Sequence, residues 1–281
     1  MAVVEQVEGA PGERRRLRLS SPATLGPVGE IEVSVAEDVC AAVERARKVQ
    51  PQWAATSFEE RGRVLERAVK ILIERQDEFL DAILGETGKP RTEALATEIV
   101  GACDALQFYA KRAKRILADR SIPLHLLKTK RLRIHYEPLG VVGIITPWNF
   151  PFLLALNPTA QALVAGNAVV LKPSEVTPAS GELVAELFAS AGLPEGLLHV
   201  VQGDGETGAA LLESGVDKIA FTGSVATGRR VAETCGRHLI PCTLELGGKD
   251  PMIVCEDADL DRAARGAVFG AFSNSGQVCV S

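Results

Sequence analysis

Apolar and polar positions repeat along this chain in two rhythms. Up to about residue 118 the rhythm is helical. Ser57-Phe58-Glu59-Glu60 has the form of a capping box, in which the Ser and Glu side chains satisfy the free backbone N–H groups of a helix start. Val64, Leu65, Ala68, Ile71 and Leu72 then recur on one helical face. A further helical stretch is predicted after Lys89-Pro90. In 122–137 the period shortens. Leu132, Ile134 and Tyr136 alternate with Arg131, Arg133 and His135, which predicts a strand. A basic, isolated strand is expected at an edge or against another subunit.

From Val141 onward, β-branched runs alternate with helical segments. Strands are predicted at 141–146, 168–171, 197–201, 218–222 and 242–246. Asn157-Pro158 predicts a cap and a first helical residue, with Gly166 ending that helix. Thr177-Pro178 opens the next, and Gly192 followed by Pro194 closes it. Five strands alternating with four helices imply a parallel sheet with helices on both faces. Ligands in such sheets sit beyond the carboxyl ends of the strands. That rule selects 146–149, 172–175, 202–205, 222–224 and 245–248.

The run 138–171 carries no charge, yet Pro147, Pro151, Pro158 and three asparagines interrupt it. A buried strand–turn–helix–strand unit suits it better than a membrane span. Composition sharpens this reading. The 281 residues are 46% hydrophobic and 24% charged, a globular balance large enough for one large domain or two ordinary ones. A net charge of −5 gives no reason to expect nucleic acid or an anionic membrane as partner. The six cysteines form no C-x-x-C pair and the four histidines no H-x-x-x-H pair, so neither a metal site nor a disulfide framework is predicted. Met1 to Ser20 carries Glu5, Glu8, Glu13 and Arg14-Arg15-Arg16 with no apolar core, unlike a signal peptide. A cytoplasmic setting with reduced thiols is the expectation.

Gly203-Asp204-Gly205-Glu206-Thr207-Gly208 matches a dinucleotide fingerprint, but its two acids would repel a pyrophosphate unless they point away. Gly223-Ser224-Val225-Ala226-Thr227-Gly228-Arg229 is the better anion cradle, joining a strand to a helix N-terminus. It lacks the Lys-Ser/Thr of a P-loop, which disfavours a nucleoside triphosphatase. Lys172-Pro173-Ser174-Glu175 reads as a solvated turn or as a ribose clamp whose carboxylate favours NAD over NADP. Asn149 follows Pro147-Trp148 at a strand end, where asparagine is commonly a turn former. Glu245 interrupts a strand expected to be buried, where a carboxylate must be paired, protonated or functional. Cys279, alone between two valines, reads as a small core hydrophobe.

Together, Thr146-Pro147-Trp148-Asn149-Phe150-Pro151, Lys172-Pro173-Ser174-Glu175, Phe221-Thr222-Gly223-Ser224, Leu244-Glu245-Leu246-Gly247-Gly248-Lys249 and Gly276-Gln277-Val278-Cys279 tell more. In this order they resemble the NAD(P)-dependent aldehyde dehydrogenase superfamily, over about 33–281. The resemblance implies an α/β fold with a Rossmann-like parallel sheet, preceded by N-terminal helices. It divides the chain into a cofactor domain, 1–247, interrupted by an oligomerisation-type segment, 120–138. An incomplete catalytic domain begins at 248–281.

The resemblance also implies roles. Cys279 would be the nucleophile, forming a thiohemiacetal and then a thioester. The Asn149 amide and the Cys279 N–H would hold the oxyanion. Glu245 would activate the hydrolytic water, which favours a free acid over acyl transfer to coenzyme A. Lys172 and Glu175 would hold the adenosine ribose, and Ser224 the pyrophosphate. Ile145 and Trp148 would line the cleft, and Gly205 would approach the adenine end. Thr146, Pro147, Ser174, Phe221, Gly223, Thr227 and Leu246 join them as cofactor-binding positions. The expected cofactor is NAD, with NADP the alternative. The expected partners are a small neutral or apolar aldehyde and further copies of the chain, as a homodimer or homotetramer when full length. A non-catalytic dinucleotide-binding or structural relative is the other reading. Because the sequence stops just past Cys279, the chain alone is expected to be an inactive fragment.

Overall fold

The computed structural model describes residues 3–7 and 14–280. Glu8 and Glu13, used above against a signal peptide, lie outside the described residues, as does Ser281.

Residues 3–7 and 14–32 depart from the helical expectation. Strands β1 (Val3–Val7), β2 (Arg16–Ser20) and β3 (Pro27–Glu32) form an antiparallel sheet in the order β1-β2-β3. The cause is an alternation the helical reading passed over. Leu17 and Leu19 are buried while Arg16 and Arg18 are exposed, the period of a strand with one covered face. Helices α1 (Ala36–Ala54), α2 (Phe58–Glu74) and α3 (Gln76–Thr87) follow. The capping box before α2 is formed: Ser57 Oγ accepts from the Glu60 N–H at 3.2 Å, and the Glu60 carboxylate accepts from the Ser57 N–H at 2.8 Å. Val64, Leu65, Ala68 and Leu72 make its buried face.

The stretch after Lys89-Pro90 runs through α4 (Arg91–Ala94), a π-helical turn at Leu95–Val100 and α5 (Gly101–Ile116). The basic segment is shorter in strand than predicted and is not isolated. β4 (Arg120–Ile122) pairs antiparallel with β5 (Leu132–Ile134) as an exposed hairpin.

The remaining elements are β6 (Val141–Ile145), α6 (Pro151–Val164), β7 (Ala168–Lys172), α7 (Pro178–Ser190), β8 (Leu198–Val200), α8 (Gly205–Glu213), β9 (Lys218–Gly223), α9 (Val225–His238), β10 (Cys242–Leu246) and α10 (Leu260–Phe272). The five strands β6 to β10 are parallel, in the order β10-β9-β6-β7-β8. Helices α6 and α7 pack on one side, backed by α2, α3 and α5, while α1, α8 and α9 pack on the other. The predicted alternation is therefore the fold. β7 is buried at every residue, as a central strand covered on both faces must be. Phe79 of α3 and Phe152 of α6 meet edge to face at 5.4 Å in the core.

One helix start differs from expectation. α6 begins at Pro151, with proline already in its first turn, and Pro158 lies inside it. Asn157 is not a cap. Its side-chain oxygen accepts from the Tyr109 hydroxyl at 2.8 Å, a tertiary contact with α5. Strand order turns back between β6 and β9, so their carboxyl ends flank the crevice where such sheets bind ligands. Among the described residues no helix is long and apolar enough to cross a membrane.

Candidate active site at the crevice between β6 and β9

The crevice is walled by three chain segments. Residues 146–150 leave β6 and enter α6. Residues 222–224 leave β9 and enter α9. Residues 274–279 approach from α10. A cleft of about 310 Å³ between them is lined by Pro147, Trp148, Asn149, Gly223, Ser224, Glu245, Leu246 and Cys279. Four of the five sequence motifs thus meet at this cleft, and the 172–175 turn does not line it. A second, more apolar cavity of about 530 Å³ shares Glu245 and Cys279 and runs along Val142, Ile144 and Leu154.

The N-terminus of α9 opens onto the crevice. Ser224 caps it, its Oγ accepting from the Thr227 N–H at 3.1 Å and lying 3.0 Å from Thr227 Oγ1. A glycine is required just before this cap, because a Cβ on Gly223 would lie 2.6 Å from Cζ of the buried Phe221 ring. The remaining N–H groups of the first turn and the helix dipole face the crevice mouth.

Lys172 ends β7 and is buried. Its Nζ donates to the Pro173 carbonyl at 2.9 Å and lies 3.4 Å from Glu175. Burial pushes the ammonium below the ordinary lysine value, against the opposing pull of Glu175. Ser174 is buried, with its hydroxyl accepting from the Val176 N–H at 3.3 Å, and Glu175 is half-exposed. Thr146 continues β6 toward the crevice. Its N–H donates to the Lys172 carbonyl at 3.1 Å, and its Oγ1 is buried without a protein partner. Ile145 stands between Lys172 and Phe221 in the sheet register.

An orphaned hydroxyl, a buried cation and a capped helix N-terminus at one sheet edge suit a dinucleotide. The G-x-G-x-x-G turn does not serve as an anion cradle of that kind. Asp204 and Glu206 both pair with Arg15, at 2.9 and 3.3 Å, and Asp204 caps α8 by accepting from the Glu206 N–H. Gly205 opens α8 with open space where a side chain would stand.

Glu245 corrects an expectation. It is exposed, not buried, because β10 is the outer strand of the sheet and its residues alternate between half-buried and exposed. The burial argument for its function therefore falls away, and its place on the cleft wall remains. Cys279 is half-buried beside it. One N–H of the Asn149 amide donates to the Gln277 carbonyl at 2.8 Å, and the second amide hydrogen is a further donor.

Several residues absent from the sequence-level list hold these walls. Lys89 and Glu98 form a buried ion pair at 2.8 Å behind Asn149. Glu86, also buried, accepts from the Ala179 and Ser180 N–H groups and the Ser180 hydroxyl, fixing the start of α7. Burial pushes the Glu86 carboxyl up, and these donors pull it back. For Glu86 and Glu98 the signal in the sequence was a charge on a helix face that should be apolar, and Lys89, in the loop after α3, gave none.

Comparison with known proteins identifies relatives of this chain and of its fold. A sequence model described as the aldehyde dehydrogenase family matches residues 10–281. A curated protein, the 4,4'-diapolycopene aldehyde oxidase of a Methylomonas species, is 44% identical over 263 residues, covering 93% of this chain and 50% of the relative. The solved structure of a Mycobacterium tuberculosis aldehyde dehydrogenase complexed with NAD+ is 40% identical, with a TM-score of 0.89 over 94% of this chain and 55% of that one. An NADP-dependent enzyme of E. coli is 36% identical, with a TM-score of 0.90 over 99% of this chain and 58% of that one. The chain thus spans about half the length of the relatives it matches.

Proposed function

Because the chain belongs to the aldehyde dehydrogenase family, we propose that it carries the nucleophile, base and cofactor platform of an enzyme that oxidises an aldehyde to a carboxylic acid with NAD, or alternatively NADP. The observation that supports this most is the convergence of Asn149, Glu245 and Cys279 on one cleft beside the Ser224 helix start. A dinucleotide-binding relative without chemistry would need none of the three.

The cofactor, when bound, accepts the hydride. Lys172 and Glu175 hold its adenosine ribose, and the first turn of α9 with Ser224 and Thr227 meets the pyrophosphate. Trp148, Pro147 and Leu246 would wall the cleft that Ser224, Glu245 and Cys279 line. The Cys279 thiolate attacks the aldehyde carbon. The free N–H of the Asn149 amide and the Cys279 backbone N–H donate to the oxygen as it becomes negative, and removal of one such donor typically slows turnover ~10²–10³-fold. After hydride loss the acyl group remains on Sγ as a thioester. Glu245 takes a proton from the water that hydrolyses it, and its exposure lets water reach it.

The substrate is assigned as a neutral or apolar aldehyde. The α6 wall offers Leu154, Asn157 and Pro158 and no cation, and Lys218 at the far side is engaged with Thr243 at 2.8 Å. The Methylomonas relative is named for an aldehyde as well. We assign 1–247 to the cofactor domain, 120–138 to a subunit-pairing excursion within it, and 248–281 to the beginning of the catalytic domain. Ile122, Leu126, Leu127 and Leu132 are exposed on and around the β4–β5 hairpin, as a homodimer or homotetramer contact requires. A cytoplasmic setting suits the thiol. The 281 residues by themselves are proposed to turn over negligibly, since α10 buries none of its residues and leaves Phe269 and Phe272 exposed.

The test is NADH formation from medium-chain alkanals by the enzyme with its full catalytic domain. Cys279→Ala abolishes turnover and leaves NAD quenching of Trp fluorescence intact. Glu245→Gln gives a single burst of NADH and then stalls. Undiminished turnover by Cys279→Ala refutes the assignment, as does steady acyl-CoA formation without free acid.

A further inference from the structure

We propose that the buried Lys89–Glu98 pair positions the oxyanion donor Asn149, and through Asn274 and Gln277 ties it to the segment that carries Cys279. This rests on the reading of Asn149 and Cys279 given above. Lys89 is 4% exposed at its side chain and Glu98 is fully buried. Neither touches the cleft wall formed by Cys279 and Glu245, so neither is a catalytic residue.

The pair grips both ends of one short segment. Lys89 Nζ donates to Glu98 Oε1 at 2.8 Å and to the Asn149 carbonyl at 2.9 Å, and it lies 4.9 Å from the Phe150 ring centre. The other Glu98 oxygen accepts from the Leu153 N–H at 2.8 Å, in the first turn of α6. Burial pushes the Glu98 carboxyl up while Lys89 and the α6 amides pull it down. Residues 149 to 153 are thereby clamped between a cation and a carboxylate.

The clamp continues toward the nucleophile. Asn274 is buried, and its Nδ2 donates to the same Asn149 carbonyl at 2.9 Å, so both lone pairs of that oxygen are used. The Asn149 amide in turn donates to the Gln277 carbonyl at 2.8 Å. The backbone and side chain of Asn149 are both pinned, which fixes where its remaining amide hydrogen points.

Two local costs mark this arrangement. Asn274 and Ser275 are left-handed, at φ 50° and 56°, a conformation that side-chain-bearing residues adopt only when surroundings enforce it. Glu98 is delivered by the π-helical turn Leu95–Val100, a widening found frequently at functional sites. A well-packed apolar pair would serve stability as well as a buried ion pair does. Positioning is what the ionic pair adds.

The experiment compares Lys89→Met, Lys89→Arg, Asn149→Ala and the Lys89→Met/Asn149→Ala double variant in the full-length chain. Steady-state kinetics and hydrogen–deuterium exchange are both read. Lys89→Met is expected to lower kcat about 10- to 100-fold, less than or equal to the loss of the donor itself. KM for NAD stays within about twofold, and Lys89→Arg restores part of the loss. In the Asn149→Ala background the Lys89 substitution costs less than it does alone, because part of its effect acts through the Asn149 amide. Exchange in 273–279 accelerates in Lys89→Met while α2 is unchanged. A multiplicative loss in the double variant overturns the proposal, as does an unaltered kcat. If the unsubstituted protein has no turnover, the functional reading fails instead. Exchange then decides the positioning, with faster exchange in 273–279 supporting it and unchanged exchange overturning it.

Discussion

Gly181 of α7 has no room for a side chain beside the 172–175 turn. A Cβ at this position would lie 2.5 Å from both Cβ and Cγ of Pro173, where 3.4–4 Å is ordinary contact. The obstacle is a pyrrolidine ring, so no flexible side chain can swing aside. Helix α7 and the turn at 172–175 must therefore separate by about 1 Å in Gly181→Ala. Overpacking of this kind costs about 1–3 kcal/mol. Alanine returns up to about 1 kcal/mol of that through its better helix propensity. A net loss of up to about 2 kcal/mol remains, and at roughly 2–4 °C per kcal/mol for a domain of this size the melting temperature falls by up to about 8 °C. Because Pro173 lies between Lys172 and Ser174, the displacement is passed to the ribose clamp. Loss of one charge-assisted hydrogen bond, at about 1.5 kcal/mol, raises the Kd for NAD about tenfold. The assays are thermal melting by circular dichroism and fluorescence titration with NAD. Gly236→Ala is the control, since its Cβ would meet nothing within 4 Å and it gains the helix propensity alone. The reasoning fails if Gly181→Ala melts at or above the unsubstituted protein with NAD affinity within twofold.

Two further outcomes follow from buried cations. The depressed Lys172 ammonium means that the folded chain holds fewer protons than the unfolded one between the lowered value and the ordinary lysine value. Stability without cofactor therefore rises with pH through that window. Lys172→Met removes this slope, is more stable than the unsubstituted protein below the window, and binds NAD more weakly. A flat alkaline profile in the unsubstituted protein, measured by urea unfolding across pH, would contradict it. Arg61→Met leaves the carbonyls of Val164 and Thr56 without the guanidinium donors now at 2.9 and 2.7 Å, and lowers the unfolding free energy by about 3 kcal/mol. A urea midpoint shifted by less than a third of that would show that water replaces the guanidinium freely.

The sheet was legible because each of its strands is a short apolar run closed by a turn, and that signal is local. The N-terminal sheet was equally local in Arg16-Leu17-Arg18-Leu19, but four residues of alternation lose to the long helical stretch that follows them. Asn157-Pro158 misled because a cap and a first-turn proline look the same as an interior proline. Only the tertiary contact to Tyr109 shows what Asn157 does there. Glu245 was assigned to a buried strand from its neighbours in sequence. Burial depends on neighbours in space, and β10 is the outer strand. The clustering of Asn149, Glu245 and Cys279 could be expected from motif order alone. Lys89 and Glu98 could not, because nothing near them in sequence names the Asn149 carbonyl and the Leu153 N–H as their targets.

The two halves of the chemistry rest on supports of different stiffness. Lys172 ends a strand buried at every residue, within a sheet covered on both sides. Cys279 follows a helix that buries nothing, and its segment meets the sheet through Asn274, Gln277 and a bond from the Asn274 N–H to Glu93. Opening the first requires unfolding the core, whereas opening the second breaks a few hydrogen bonds. In this chain the proposed dinucleotide platform is a rigid floor, and the proposed nucleophile is moored to it by polar lines that a ligand, or more protein packed on α10, would draw tight.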